Sequence, residues 1–290
     1  MKHKLHFTKM HGLGNDFIVI DAINQRVETL DFTYLAALLC DRHLGIGGDG
    51  VILVLESETA DLKMRIFNAD GSEPEMCGNG IRCFAKFAYE NTLIEKEVFS
   101  VETLAGNIVP ALVIKSGRVE AIEVDMGEPI LARQRIPMSG APIDQVVREP
   151  LQVGPLGSTY EITCVSMGNP HAVVFVDDLS QIDLTDIGPH FEWHPAFPQR
   201  INTEFVEVAS RSEASLKVWE RGSGETLACG TGACATLVAG VLADKLDRKA
   251  LIHLPGGDLF IEWQSSNNHV IMTGPAMTVF AGEIDIADPQ

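Results

Sequence analysis

Short apolar runs punctuated by glycine-rich turns recur along most of this chain, and helical spacing shows in only a few stretches. Residues 5–10 and 17–21 read as strands joined by His11-Gly12-Leu13-Gly14-Asn15-Asp16. Asp31 can cap a helix over 32–43 that Gly45 ends. A glycine-rich loop at 45–50 leads to a strand at 51–56, and the alternating stretch 62–68 is another. Residues 81–90 fit a buried helix with Phe84, Phe87 and Ala88 on one face, and strands follow at 98–103, 107–114 and 119–126. Gly127-Glu128-Pro129 is the candidate boundary. Beyond it, strands are predicted at 162–166, 172–176, 205–209 and 216–219, then an Ala-rich helix over 233–245. Residues 251–254 and 259–263 flank Pro255-Gly256-Gly257-Asp258 as a hairpin. Many strands with one central helix per half do not make alternating βαβ units. The pattern predicts an α+β fold in which each half is a curved, mostly antiparallel sheet wrapped around a helix.

The two halves also share a written motif. Met64-Arg65-Ile66-Phe67-Asn68, Glu73 and Cys77-Gly78-Asn79-Gly80 align without a gap on Leu216-Lys217-Val218-Trp219-Glu220, Glu225 and Cys229-Gly230-Thr231-Gly232. Gly14-Asn15-Asp16 is echoed by Gly168-Asn169-Pro170 in almost the same register. A duplicated Cys-Gly-x-Gly element can set two thiols face to face across a pseudo-two-fold axis. Opposed thiols could remove a proton from one side of a carbon and return one to the other.

At 290 residues the chain suits one large domain or two ordinary ones, and the duplication favours two. A formal net charge of −18 argues against a nucleic-acid partner, which needs a basic face. No apolar run approaches a membrane span, and the N-terminal residues lack the apolar stretch of a secretory signal. Six cysteines in this length do not form a disulfide scaffold, which points to a reducing cytoplasm.

Each Cys-Gly-x-Gly precedes a predicted helix. Glycine lets the backbone turn tightly, and the helix N-terminus adds partial positive charge, which favours thiolate, so at least one of the two thiols is expected to be acidified. The same N–H groups could hold a carboxylate, which suits proton abstraction beside one. The plain alternative is that Cys77 and Cys229 are buried structural cysteines, the reading given to Cys40, Cys83, Cys164 and Cys234. No metal site is expected, since neither loop has the close cysteine pairing of structural zinc. No phosphate-binding fingerprint is present.

Met10-His11-Gly12-Leu13-Gly14-Asn15-Asp16-Phe17, Phe67-Asn68-Ala69-Asp70-Gly71-Ser72, Cys77-Gly78-Asn79-Gly80-Ile81-Arg82-Cys83, Ser166-Met167-Gly168-Asn169-Pro170-His171, Glu220-Arg221-Gly222 and Ala228-Cys229-Gly230-Thr231-Gly232-Ala233 together resemble the diaminopimelate epimerase family, in order and over nearly the whole chain. The resemblance implies a cofactor-independent isomerase that interconverts LL- and meso-diaminopimelate for lysine and peptidoglycan synthesis. It implies two similar lobes, residues 1–125 with 273–290 carrying Cys77 and residues 126–272 carrying Cys229, with the active site in the cleft between them. It casts Cys77 and Cys229 as the base and acid pair. Asn15, Asn68, Asn169, Asn202, Glu220 and Arg221 become substrate contacts, with the backbones of Gly78, Asn79, Gly230 and Thr231. His171 and Glu220 would tune the cysteines, and the family points to a homodimer. Some members carry Gln where this chain has Gly50, which has no side chain to reach substrate. The acidic tail, 283–290, reads as peripheral.

Taken without the family, several of these residues have bland readings. Asn15, Asn68 and Asn169 could be turn formers, His171 a satisfied surface histidine, and Arg221 with Glu220 an exposed ion pair. Three other functions compete. A proline or hydroxyproline racemase shares the paired thiols, although the Cys-Gly-Asn-Gly form and the Glu220-Arg221 pair point away from it. A cysteine hydrolase could use one thiolate with His171, and a non-enzymatic binding protein of the same fold would not need both thiols. Both leave the second cysteine unexplained.

Overall fold

Leu13 and Gly14 hold φ of 57° and 89°, the twist that a two-residue hairpin turn requires. β1 (Lys2–Gly12) therefore runs further than the predicted 5–10 and pairs antiparallel with β2 (Asn15–Asp21), Gly12 opposite Asn15. The computed structural model describes residues 2–27, 29–155 and 157–287. Next come α1 (Phe32–Cys40), β3 (Gly50–Leu55), β4 (Leu62–Asn68), α2 (Gly78–Glu90), β5 (Val101–Thr103), β6 (Gly106–Ile108), β7 (Ala111–Lys115) and β8 (Arg118–Asp125). They are followed by β9 (Val146–Val153), β10 (Ser158–Ser166), β11 (Pro170–Val176), α3 (Leu184–Glu192), β12 (Asn202–Ser210), β13 (Glu213–Glu220) and β14 (Gly224–Thr226). The last are α4 (Gly230–Leu242), β15 (Lys249–Leu254), β16 (Gly257–Trp263), β17 (Val270–Gly274) and β18 (Met277–Ala287).

The chain divides into two units, Met1–Val124 with Gly274–Gln290, and Asp125–Thr273. The first holds a seven-stranded sheet in the order β18-β1-β2-β3-β4-β5-β6. The second runs β17-β16-β15-β13-β12-β11-β10-β9, with β14 on β13. From β1 to β6 the pairings are antiparallel, parallel, antiparallel, parallel and antiparallel. From β10 through β11, β12, β13 and β15 to β16 the same sequence of senses recurs. The duplication legible in the cysteine motifs therefore extends to the pairing pattern of each sheet.

Each sheet is covered on both faces. α2 packs on β1 to β4, and α4 on β10 to β12, β15 and β16. The opposite faces meet α1 and α3. Phe17, Ile18, Val19 and Ile20 are consequently all buried, as are Asn202, Thr203, Glu204, Phe205 and Val206. Double burial explains why these strands read as continuous runs rather than alternating ones.

Several expectations are corrected. α1 stops at Cys40 rather than 43, because the Asp41 carboxylate accepts from the His43 and Leu44 amides at 2.7 Å and closes a turn instead. Its Asp31 cap is present, accepting from Thr33 N–H at 3.0 Å. The stretch 107–114 is two strands, since Pro110 falls between β6 and β7 and has no N–H for a ladder. β9, β14, β17 and α3 were not predicted. α3 hides behind Gly188 and Pro189, which usually mark turns; a Cβ on Gly188 would lie 2.3 Å from the Trp219 ring. The tail is not peripheral over 283–287: it belongs to β18, whose Glu283 to Ala287 pair with Lys2 to His6 of β1. Residues 288–290 lie outside the described residues.

Candidate active site

Both cysteines of the duplicated motif sit at the first residue outside a helix. Cys77 caps α2 with φ −139° and ψ 120°, and Cys229 caps α4 with φ −122° and ψ 106°. The helices begin at Gly78 and Gly230, not at 81 and 233, so the Gly-x-Gly forms the first turn rather than a preceding loop. The Cys77 sulfur accepts from the Gly80 amide at 3.4 Å. At Cys229 the Gly232 amide favours the thiolate without closing a full cap bond. The glycines are there for space. A Cβ on Gly80 would press on Ile66 at 3.2 Å, and one on Gly232 would lie 2.7 Å from the Glu204 carboxylate and 3.2 Å from the Cys229 sulfur.

Around Cys77 the structure gathers Asn15, Gly78 and Asn79. Asn15 Oδ1 lies 3.8 Å from Cys77 Sγ and accepts from Asn79 Nδ2 at 3.1 Å. Asn15 is thus a hairpin-end residue whose amide belongs to the cysteine loop, not only a turn former. Asn68, at the end of β4, donates instead to Ser72 Oγ at 3.0 Å. Arg65 on the same strand forms a two-bonded ion pair with Glu73, at 2.8 and 2.9 Å, tying β4 to the segment that leads into Cys77. Gly50 faces Asn68 across β3 and β4, and any Cβ there would fall 2.7 Å from the Phe67 carbonyl.

Around Cys229 the surroundings are more acidic. Asn169 Nδ2 donates to Thr231 Oγ1 at 3.2 Å, and Thr231 Oγ1 lies 3.5 Å from Cys229 Sγ. His171 is fully buried, not a surface residue. Its Nε2 meets Asn169 Oδ1 at 3.0 Å and its Nδ1 meets Glu204 Oε1 at 2.7 Å. Burial pushes the Cys229 thiol well up; the Glu220 and Glu204 carboxylates push it further, against hydrogen bonds from Thr231 and Gly232. At this thiol the helix N-terminus does not win: desolvation and two nearby carboxylates outweigh it, so any acidified member of the pair is not Cys229. Glu220 is itself raised, by burial first, opposed by hydrogen bonds from Thr226 and Cys229.

Glu220 and Arg221 are not an exposed ion pair. Glu220 accepts from Thr226 Oγ1 at 2.5 Å, while Arg221 donates to the Gln199 carbonyl at 3.0 Å. Asn202 is held by backbone on both sides, donating to the Pro170 carbonyl and accepting from Arg221 N–H, each at 2.8 Å. Glu192 of α3 pins the same turn, accepting from Trp219 Nε1 at 2.8 Å and Gly222 N–H at 3.0 Å. Among the described residues, no group of three or more His, Cys, Asp or Glu side chains could hold a metal ion. No helix there is long and apolar enough to cross a membrane.

The profile of the family described as "Diaminopimelate epimerase" matches residues 7–132 and 163–279. The chain belongs to this family. It is 54% identical over 279 residues to a diaminopimelate epimerase of Pelotomaculum thermopropionicum, covering 96% of this chain and 98% of that one. It is 51% identical to one of Methanococcus maripaludis, over 97% of this chain and 100% of the other. Among solved structures, a hydroxyproline epimerase from Agrobacterium vitis superposes with a TM-score of 0.70 at 15% identity, covering 100% of this chain and 95% of that chain. A Bacillus anthracis phenazine biosynthesis protein of the PhzF family gives 0.69 at 17%, covering 98% and 99%. These two likenesses are of fold alone. They agree with the α+β, sheet-dominated architecture expected from the sequence.

Four residues of the sites carried signals that went unread. Arg82 is a charged residue in an otherwise apolar helix stretch and Glu204 one directly before Phe205-Val206, and both are fully buried; that placement usually marks a partnered group. Asp49 stands in the glycine-rich loop 45–50 and accepts from Asn15 Nδ2 at 2.7 Å. Glu192 closes a helix that the sequence pattern concealed.

Proposed function

We propose that this protein interconverts LL- and meso-2,6-diaminopimelate by two-base proton transfer, with one thiol from each unit acting on opposite faces of the same α-carbon. The observation that carries the reading is that Cys77 and Cys229 hold equivalent capping positions in a duplicated fold, within a chain of this family. In one direction the Cys77 thiolate takes the α-proton, negative charge spreads into the adjacent carboxylate, and the Cys229 thiol delivers its proton to the other face. The two sulfurs end with protonation exchanged, and the reverse direction uses them in opposite roles. The carboxylate is held at the helix N-termini, by the backbones of Gly78 and Asn79 and of Gly230 and Thr231, where developing charge is stabilised without reorganisation.

The raised Cys229 thiol suits the proton donor. Glu220 and Glu204 keep it protonated until the α-carbon is negative. His171 and Glu220 tune this side, and Asn15, Asn68, Asn169, Asn202 and Glu220 contact the amino acid groups. Arg221, which has no carboxylate partner among the described residues, anchors the carboxylate at the non-reacting end. The reading includes a reducing cytoplasm, which keeps both thiols free, and a homodimer. No cofactor takes part, so activity should survive exhaustive chelation.

The decisive experiment is turnover in heavy water. Product from either isomer should carry solvent deuterium at the α-carbon, and Cys77→Ala and Cys229→Ala should each abolish epimerisation with the fold intact. Full activity in either variant, or retention of the substrate proton in the product, refutes the two-base reading. Proline and 4-hydroxyproline, run alongside, should not be turned over; if they are and diaminopimelate is not, the racemase alternative holds.

A further inference from the structure

Arginine only donates hydrogen bonds and a carboxylate only accepts them, whereas a carboxamide does both and fits either way round. In the unit that carries Cys77, two carboxamides stand in series between one group of each kind. Arg82 Nη2 donates to Asn79 Oδ1 at 2.8 Å, Asn79 Nδ2 to Asn15 Oδ1 at 3.1 Å, and Asn15 Nδ2 to Asp49 Oδ2 at 2.7 Å. The two ends permit one polarity for the whole series. Both ends are themselves anchored. Arg82 is fully buried and also donates to the Gly78 and Pro275 carbonyls at 3.0 and 3.2 Å. Asp49 accepts from the Asp16 amide at 3.0 Å and from Arg42 at 2.9 Å.

The same Asn15 oxygen is the one that lies 3.8 Å from Cys77 Sγ. The other unit has neither end of the series. In the alignment of the two motifs, Cys234 stands where Arg82 does and Ile201 where Asp49 does. There Asn169 meets Thr231 Oγ1, which can donate or accept, and His171 Nε2, whose role follows the proton arrangement of a ring that already gives its Nδ1–H to Glu204. Polarity is imposed by an arginine and a carboxylate beside Cys77, whereas beside Cys229 it follows the protons on the His171 ring.

We infer that Asp49 and Arg82 are positioning residues that hold Asn15 with its carbonyl oxygen, and never its N–H, against the Cys77 sulfur. An oxygen in that place accepts from the thiol and gives an ammonium group of a bound amino acid an acceptor. The kinetic consequence rests on the epimerase reading above; the orientation does not.

Asp49→Asn tests this. A neutral amide beside Asn15 is satisfied either way round, so only the bond from Asn79, whose own polarity Arg82 fixes, still holds Asn15, and its N–H can turn towards the sulfur and favour the thiolate at the expense of that one bond. The Asp49 side chain is 43% exposed, so the isosteric change leaves no buried defect. The readout is the pH profile of iodoacetamide labelling at Cys77, followed peptide by peptide, with Cys229 in the same sample as internal control. The Cys77 midpoint should fall by roughly half to one pH unit, the size of one altered hydrogen bond to the charged form, with Cys229 unchanged. In an Asn15→Ala background the same substitution should have no further effect. With diaminopimelate, kcat/KM should drop by about tenfold, mostly in kcat. An unchanged Cys77 profile, an equal shift at both cysteines, or full additivity with Asn15→Ala overturns the inference. If the native protein does not turn over diaminopimelate, the epimerase reading fails while the labelling result still decides the orientation.

Discussion

Replacing Glu204 by Ala should destabilise the unit Asp125–Thr273 far more than an ordinary surface change would. Its carboxylate and the His171 ring are both fully buried and meet at 2.7 Å. Removing one partner of such a pair strands the other without its hydrogen bond, which costs about 3–5 kcal/mol. Against a usual domain stability of about 5–15 kcal/mol, that is a fifth or more of the total. For a unit of this size the thermal midpoint should fall by roughly 6–20 °C. Glu204→Gln is the matched control. Its amide oxygen can still accept from His171 Nδ1–H, so most of the loss should be recovered, leaving about 1–2 kcal/mol.

Urea unfolding followed by tryptophan fluorescence isolates the effect, because Trp193, Trp219 and Trp263 all lie in this unit. A second readout is independent of stability. Glu204 is among the groups that push the Cys229 thiol up, so in either variant Cys229 should be alkylated at lower pH. An Ala variant within about 1 kcal/mol of native would show that His171 finds another partner, and the buried-pair argument would fail. An unmoved Cys229 profile would remove Glu204 from the electrostatics of that thiol.

Gly50→Ala should cost about 1–3 kcal/mol, read by thermal denaturation, because its Cβ meets the backbone carbonyl of Phe67 and the paired strand has little room to yield; a neutral substitution would refute the packing. Burial lifts the Cys40 and Cys83 thiols to about 11 and about 12, and raises Cys164 as well. All three should resist iodoacetamide in native protein at pH 8 and react after unfolding. A raised folded value means stability is intact below the ordinary thiol value of 9.0 and is lost as pH climbs towards the folded values. Asp61 and Glu102 behave oppositely: hydrogen bonds from Lys96 and Lys63 hold both at about 2, so their contribution is present above the ordinary carboxylate range and lost as pH falls from about 4 towards 2. Lys63→Met and Lys96→Met should each flatten that acid limb of the urea midpoint. Mild oxidant should inactivate the enzyme through a reversible Cys77–Cys229 disulfide, blocked by bound substrate; a bridge between Cys77 and Cys83 instead would undermine the two-base reading.

Much of this was legible in the chain because repeated motifs survive where backbone geometry leaves few choices. The Cys-Gly-x-Gly loops announced two capped helices, and the alignment of Met64 to Gly80 on Leu216 to Gly232 foreshadowed matching strand orders. What stayed hidden depends on contacts made at long range. α3 forms because its flank packs under Trp219 and its Asp183 caps it, accepting from Thr185 and Asp186 amides; its own Gly-Pro reads as a break. Which thiol is raised was not legible because local helix geometry is written next to both cysteines, whereas the opposing carboxylate of Glu204 comes from a strand 25 residues earlier in the chain than Cys229. The glycines were assigned to turns, yet at Gly80 and Gly232 the constraint is the volume left by neighbouring side chains.

The return of β18 to β1 has a consequence for the order in which the protein is made. Met277 to Ala287 pair with Lys2 to His11 along nearly the full length of both strands. Domains normally fold as they emerge, the N-terminal one first. Here the unit that begins the chain lacks an edge of its sheet until every residue of Asp125–Thr273 has been synthesised. The second unit is continuous and can complete itself on the ribosome, while the first holds β1 with one side unpaired through that interval. An exposed strand edge is where chains adhere to one another. Expression problems in variants of this enzyme should therefore cluster in β1 and β18, and slowing translation before residue 277 should lengthen the period of risk.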